Sequence, residues 1–145
     1  MKLRNTEPWM PADAYGRSLS GLTVNLLVRD VTQSLHFQQE VLAAEVIYHD
    51  ADFAALRGYG AQWMLHADHT YLDHPMTGVV TGQVGRGAGI ELRIHGRDPD
   101  AAEAAARRLD YTVIEGATDK PHGLREAFII DADGYIWVAD VPTPT

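Results

Sequence analysis

The chain has 145 residues, a formal net charge of −8 at pH 7 and no cysteine, which predicts one domain with a hydrophobic core and excludes disulfides, thiolate ligands and cysteine nucleophiles. Its basic residues are scattered, which argues against nucleic acid and against an anionic membrane as partners, and no apolar run reaches the ~18 residues of a membrane span. The N-terminus lacks the apolar stretch of a secretory signal, so we expect a cytoplasmic protein whose partner is a small molecule.

Residues 1–20 contain two prolines and follow no hydrophobic period, which predicts an irregular N-terminal arm. The arm also carries Trp9, Met10 and Tyr15, which make it too apolar for a purely solvated tail. We therefore expect the arm to pack on another surface, for which a partner subunit is one possibility.

The first half of the chain predicts a strand, a helix and three further strands. Residues 22–29 alternate between apolar and polar side chains, which is the period of a half-buried strand. Asp30 and Thr32 are helix N-cap types, and an apolar stripe with helical spacing follows them. Turn sequences separate the three remaining strand-like segments, at 45–49, 53–57 and 61–66.

The second half repeats this order after a long polar segment at 67–86, which we interpret as a linking loop of the kind that often carries function. Apolar and polar residues again alternate over 90–95, which predicts a strand. Asp98-Pro99 is typical of a helix start, and the alanine-rich helix is expected to reach Leu109. The last three predicted strands are 111–115, 124–130 and 135–140.

A glycine–tryptophan spacing occurs once in each half. Trp63 stands three residues after Gly60, and Trp137 stands three residues after Gly134. Two copies of one unit predict a pseudo-symmetric fold, in which both tryptophans are core residues beneath the helices.

Three motifs carry a resemblance to a known family: Val28-Arg29-Asp30-Val31 after the first strand, Phe37 with Glu40-Val41-Leu42 in the first helix, and the turn and strand at 131–137. In this order and spacing they resemble the vicinal-oxygen-chelate superfamily, which includes glyoxalase I, bleomycin-resistance and fosfomycin-resistance proteins and extradiol dioxygenases. The resemblance implies an α+β fold in which two βαβββ modules form an open barrel-like cleft with helices outside. It places a single domain at 21–141, with modules at 21–66 and 87–141, and it implies a homodimer.

Metal-dependent members of that superfamily use four equivalent positions, two in each module. Counted from the turns, these positions are Thr23, Met64, Glu91 and Val138. Only Glu91 is a good ligand for a hard or borderline divalent cation. We therefore expect that the family metal site is not retained and that no cofactor is needed, provided that the register is right, since a one-residue slip would exchange the two faces of each strand.

The same register predicts a cleft face that mixes apolar walls with a few polar groups, as small-molecule pockets do. On this face Glu91 either acts as a general base or accepts a hydrogen bond from the ligand, while Arg93 binds an anionic group. Alternatively, Glu91 and Arg93 form a salt bridge that satisfies only itself. The candidate ligand-binding residues are Asn25, Gln62, Met64, His66, Arg93, His95, Val138 and Asp140.

Histidines are concentrated at the start of the linking loop, and His122 lies on a second loop. They are either solvated or capping residues, or they form a relocated divalent-metal site that would use His66, His69, Glu91 and His122. Tyr71, beside them, could close over a ligand.

Three functional hypotheses follow from these observations. The first, which the lost ligand positions favour, is a bleomycin-resistance-like protein that binds a small aromatic or drug-like molecule without the family metal. The second is a divalent-metal-dependent lyase, isomerase or dioxygenase with the relocated histidine and glutamate site. The third is a metal-free enzyme with Glu91 as general base, which the sequence does not separate from the first.

Overall fold

The computed structural model describes residues 1–145 and contains two four-stranded mixed sheets. In the first sheet the strands lie in the order β1-β4-β3-β2, with β1 parallel to β4 and the other neighbours antiparallel. Its strands are β1 (Val24–Val28), β2 (Glu45–His49), β3 (Phe53–Gly58) and β4 (Ala61–Ala67).

The second sheet repeats this topology in the order β5-β8-β7-β6, again with one parallel pair, β5 and β8. The chain therefore has the expected α+β architecture, built twice from a strand, a helix and three strands. The strands are β5 (Glu91–His95), β6 (Thr112–Asp119), β7 (Leu124–Ile130) and β8 (Ile136–Pro142).

The first repeat's helix begins as α2 (Val31–His36) and continues as a π-helix at Phe37–Val41. The Asp30 carboxylate accepts a hydrogen bond from the Gln33 N–H at 3.0 Å, which caps the start of the helix as predicted. In the second repeat the corresponding helix is α4 (Pro99–Arg108), whose Asp98 side chain accepts from two backbone N–H groups.

The chain forms two compact units, one comprising residues 1–33 and 45–81 and the other comprising 34–44 and 82–145. The helical residues 34–44 thus pack with the second half of the chain. The Phe37 ring lies 4.9 Å from the Tyr111 ring and 6.3 Å from the Trp137 ring. These packing units differ from the sequence modules at 21–66 and 87–141, because the helix of the first module belongs to the second unit.

Two segments are more ordered than the sequence indicated. The arm is not wholly irregular, because it contains α1 (Ala12–Ser18). Asp13 and Arg17 form an ion pair of 2.7 Å along this helix, at i,i+4 spacing. Within the linking segment at 67–86, a 3₁₀ helix spans Asp68–Tyr71 and α3 spans Thr77–Val80. None of the helices is both long and apolar enough to cross a membrane.

The predicted register of the sheets is confirmed. Asn25 lies opposite Met64, and Arg93 lies opposite Val138, so each pair shares the face that the sequence assigned to it. Trp63 and Trp137 lie on the opposite face and are 4% and 3% exposed, which confirms them as core residues. No one-residue slip occurs in either parallel pair.

Candidate functional site

The first unit contains an apolar surface on one face of its sheet. Phe53, Ala55 and Met64 project from β3 and β4 and form a buried cluster. Tyr15 and Leu19 from the arm are partly buried against this cluster, as are Ile47 and Tyr48 from β2. The arm therefore packs on its own chain, on the face that the sequence assigned to the cleft.

Trp9 lies at the centre of the arm's contacts with the sheet. Its ring stacks on Tyr48 with 4.9 Å between centroids and an interplanar angle of 22°. It lies nearly parallel to Phe53 at 6.1 Å and meets Tyr15 edge-on at 5.1 Å. Offset-stacked and edge-to-face arrangements at these distances are favourable for aromatic pairs. Even so, Trp9 remains 40% exposed, so one part of its ring is open to a further contact.

A cavity of about 290 Å³ lies between the arm and the sheet, and we call it the arm pocket. Its lining is mainly apolar and aromatic, with a few polar groups, which is the composition of a small-molecule site. The apolar lining is Pro8, Trp9, Met10, Ala12, Tyr15, Gly16, Leu19, Phe53 and Met64, and the polar lining is Lys2, Arg4, Asp52, His66 and Thr70.

Asp52 anchors the arm above this pocket. Its side chain is 2% exposed and accepts hydrogen bonds from the Leu3 N–H at 2.7 Å, the Arg4 N–H at 3.0 Å and His69 Nε2 at 2.7 Å. Burial alone would raise the pKa of Asp52, but the Arg4 N–H, His69 and the Leu3 N–H lower it to about 2. An ionised carboxylate therefore holds the start of the arm against the sheet.

The His66 ring in the pocket wall is held in a defined orientation. Its Nδ1 lies 2.5 Å from Asn25 Oδ1, and Asn25 Nδ2 donates to the Tyr71 hydroxyl at 2.9 Å. Burial lowers the pKa of His66, so the ring is neutral near pH 7. Because Asn25 uses its amide N–H₂ on Tyr71, its oxygen accepts from His66 Nδ1–H, and the lone pair of the neutral ring is on Nε2.

Of the residues predicted in the first half, Asn25, Met64 and His66 lie at or beside the arm pocket. Gln62 does not, because it is exposed and lies near the other end of β4, beside the Glu45–Arg57 ion pair. Tyr71 does not line the pocket but contacts Asn25 and His66.

The second unit brings together the polar residues predicted in the second half. Arg93 donates to Glu91 at 2.7 Å and to Asp140 at 3.1 Å, and it also bonds Glu126. His95 Nδ1 lies 2.8 Å from Asp140. Glu91 and Arg93 therefore form a salt bridge, as in the alternative interpretation, but within a larger network. Glu126, which was not among the predicted residues, pairs in register with Asp140, so the position of Asp140 is the signal that could have found it.

The four positions equivalent to the family's metal ligands do not fit a divalent cation. Thr23 precedes β1 and is exposed, Met64 belongs to the apolar cluster, and Glu91 is bonded to Arg93. Val138 is fully buried and offers no donor atom.

The residues of the alternative metal site each have a different partner. His66 bonds Asn25, His69 bonds Asp52, Glu91 bonds Arg93, and His122 Nε2 lies 2.8 Å from Glu126. The structure contains no group of three or more histidine and carboxylate side chains arranged to hold a metal ion.

Sequence reasoning did not place the residues of the arm, or Asp52 and Phe53 beneath it, in a common pocket. Trp9 and Tyr15 were recognised as too apolar for solvent, but nothing in the sequence identified the surface that they cover. Asp52 and Phe53 occur at a turn and at a strand start, where a capping role and a core role are the ordinary expectations. Their shared pocket depends on contacts between residues 44 and 49 positions apart.

No family model matches the chain, and no curated protein matches it. Several solved structures share its fold. A glyoxalase/bleomycin resistance protein/dioxygenase from Nocardioides is 16% identical, with 90% of this chain and 91% of that chain covered and a TM-score of 0.62. A protein of the same description from Burkholderia phytofirmans PsJN is 16% identical, with coverages of 83% and 97% and a TM-score of 0.67. The fosfomycin resistance protein FosX from Listeria monocytogenes is 16% identical, with coverages of 86% and 95% and a TM-score of 0.63. These similarities confirm the predicted fold, which the chain shares with glyoxalase/bleomycin-resistance-like proteins.

Proposed function

We propose that this protein binds a small aromatic molecule in the arm pocket and does so without the family metal. The observation that carries the proposal is the cavity of about 290 Å³ walled by Trp9, Tyr15, Phe53 and Met64. This volume is near the lower end of ligand pockets, so it suits a molecule of one or two rings.

The aromatic walls support a planar ligand in particular. Trp9 and Phe53 are 12° from parallel, so their faces offer stacking surfaces of similar orientation to a flat ring. Met64, at a family ligand position, forms part of the pocket lining. A thioether packs well on an aromatic ring and coordinates hard cations poorly.

Titration calorimetry against a panel of cinnamates, indoles, naphthols and quinolines tests this proposal. We expect at least one class to bind, and Trp9→Ala to weaken that binding by about 30-fold, as truncation of a central aromatic contact does. Tyr59→Ala is the matched control, because Tyr59 is 38% exposed but lies at the β3–β4 turn, outside the pocket. An absence of binding across the panel, or equal binding by the Trp9 variant, would refute the proposal.

A second candidate is acid–base catalysis in the second unit, which the His95–Asp140 pair favours. Asp140 is 1% exposed and holds Nδ1 of a ring that is itself 68% exposed. A carboxylate that orients a histidine in this way leaves Nε2 directed to solvent, where it can exchange a proton with a substrate. The wild-type protein would then convert at least one panel compound. Loss of this turnover in His95→Gln, with a circular dichroism spectrum like that of the wild type, would favour this candidate.

A further inference from the structure

The arm pocket contains two cations that have no carboxylate partner. Lys2 and Arg4 both line the cavity, and neither side chain forms an ion pair in the structure. This is unusual for a chain with a net charge of −8, in which an acidic neighbour would be easy to provide. Several of the chain's other arginines pair with carboxylates, as Arg57 does with Glu45 and Arg125 does with Asp100.

The acidic groups near these cations already accept hydrogen bonds from other donors. Asp52 accepts the two backbone N–H groups of the arm and His69. Asp50 accepts the Tyr48 hydroxyl at 2.6 Å and also two backbone N–H groups, those of Asp52 and Phe53. Two cations against one lining carboxylate give the pocket a local excess of positive charge. In a mainly apolar cavity such an excess favours an anionic ligand group.

A second polar requirement comes from His66. Its Nδ1–H is used on Asn25, and Asn25 is fixed in turn by Tyr71, so the ring presents an acceptor at Nε2. No protein group donates to that atom. A half-buried acceptor without a donor is costly unless a ligand or water supplies one.

We propose that the ligand of the arm pocket is a planar aromatic acid that also carries a hydroxyl or N–H donor. The acid group pairs with Lys2 and Arg4, and the donor bonds to His66 Nε2. This inference rests on the proposed function and names the chemical class of its ligand.

Three related compounds separate the two polar requirements: para-hydroxycinnamate, its neutral amide, and para-methoxycinnamate. By titration calorimetry at neutral pH we expect the hydroxy acid to bind about tenfold more tightly than either of the others, because each lacks one charged or directional hydrogen bond. Equal affinities for all three would overturn the inference and leave the proposed function intact. Failure of these three together with the whole aromatic panel would instead refute the proposed function.

Variants then assign the two groups. Lys2→Gln combined with Arg4→Gln should remove the preference for the acid over the amide while the amide still binds. The backbone N–H of Arg4, which Asp52 holds, is unchanged by these substitutions. Arg17→Gln combined with Arg107→Gln is the matched control, since it deletes two exposed cations outside the cavity. An equal loss in both double variants would show that only net charge matters and would overturn the assignment.

His66→Phe keeps a ring against Phe53, whose centroid lies 4.8 Å from that of His66, but it removes the acceptor. The hydroxy acid and the methoxy acid should then bind with equal affinity. Equal affinity of the wild-type protein for the hydroxy acid and the methoxy acid would show that Nε2 requires no donor, and it would overturn the donor part of the proposal.

Discussion

Replacement of Asp52 by asparagine tests whether one carboxylate holds the arm over its pocket. Asp52 Oδ1 accepts from the Leu3 N–H and from His69, while Oδ2 accepts from the Arg4 N–H. An asparagine keeps one acceptor oxygen and places an N–H₂ group opposite one of these donors. At least one part-buried N–H therefore loses its partner, and the remaining bonds lose their charge.

Two arguments from the same hydrogen bonds give the magnitude. A part-buried N–H without a partner costs about 1–3 kcal/mol. Separately, the pKa of Asp52 is about 2 instead of the ordinary 3.8, so the folded state favours the ionised carboxyl over a neutral one by about 2 kcal/mol. The sign follows from the lowered pKa. This stability is present above about pH 4 and is lost as the pH falls towards 2.

We expect the loss to fall on the arm and on the turn that carries His69, and not on the sheets, because the Asp52 carboxylate bonds the arm and His69. In hydrogen exchange monitored by mass spectrometry, a cost of about 2 kcal/mol should speed exchange of the Leu3 and Arg4 amides by about 30-fold. Exchange in β4, for example at Leu65, should be unchanged. Asp73→Asn, an exposed site in the linking segment, is the control.

Three outcomes of this experiment would be informative. Wild-type exchange of the Leu3 and Arg4 amides in Asp52→Asn would refute the anchoring role. Equal acceleration in the arm and in β4 would show that Asp52 stabilises the whole unit instead. If the arm is released as expected, the variant should also bind aromatic ligands more weakly, since Trp9 no longer covers the pocket.

Three further predictions concern stability, measured by urea unfolding. The pKa of Asp131 is about 6, because burial raises it further than its hydrogen-bond donors lower it. The folded state therefore binds more protons than the unfolded state between the pKa values of the two states. As the pH falls from 7.5 to 5, the free energy of unfolding should rise by about 1.4 kcal/mol relative to that of Asp131→Asn. Arg93→Met should cost about 3 kcal/mol, because two buried carboxylates lose their arginine and each keeps only a histidine partner. Arg125→Met, which breaks exposed pairs, should cost under about 1 kcal/mol. Gly134→Ala should lower stability clearly more than Gly60→Ala, because both residues have positive φ but only a Cβ at 134 would lie 2.6 Å from a backbone oxygen. The positive φ by itself costs about 1–2 kcal/mol. Equal losses of stability in the two variants would show that φ alone decides.

The fold could be predicted because its information is local and repeated. Alternation in the first strand of each half, an N-cap before each helix and the turns between the other strand-like segments indicated the order of elements, and β2 and β7 have the predicted bounds. Residue spacing also fixed which side of each strand is buried, as the pairing of Asn25 with Met64 confirms. The π-helical continuation at Phe37–Val41 could not be predicted, because a helical apolar stripe fits both kinds of helix.

The arm pocket could not be predicted, because its parts are joined only by the tertiary structure. Trp9 reaches Tyr48 across 39 positions, and Asp52 reaches Leu3 across 49. A hydrophobic period reports which side of an element is buried but not which segment buries it. The excess of aromatic residues in the arm was the available signal, and it predicted that the arm packs without indicating where.

The two repeats place different chemistry at equivalent positions, and the difference favours the first unit as the ligand site. His66 and Asn25 correspond in register to Asp140 and Arg93, and both pairs are hydrogen-bonded, at 2.5 Å and 3.1 Å. In the second unit the position equivalent to Phe53 is Glu126, so the cation there is neutralised by the protein itself. In the first unit the same position is aromatic, the polar pair leaves an acceptor without a donor, and the cations in the arm have no carboxylate. A site that satisfies itself gains little from a ligand, whereas a pocket with an unpaired acceptor and unpaired cations gains from one that supplies both partners.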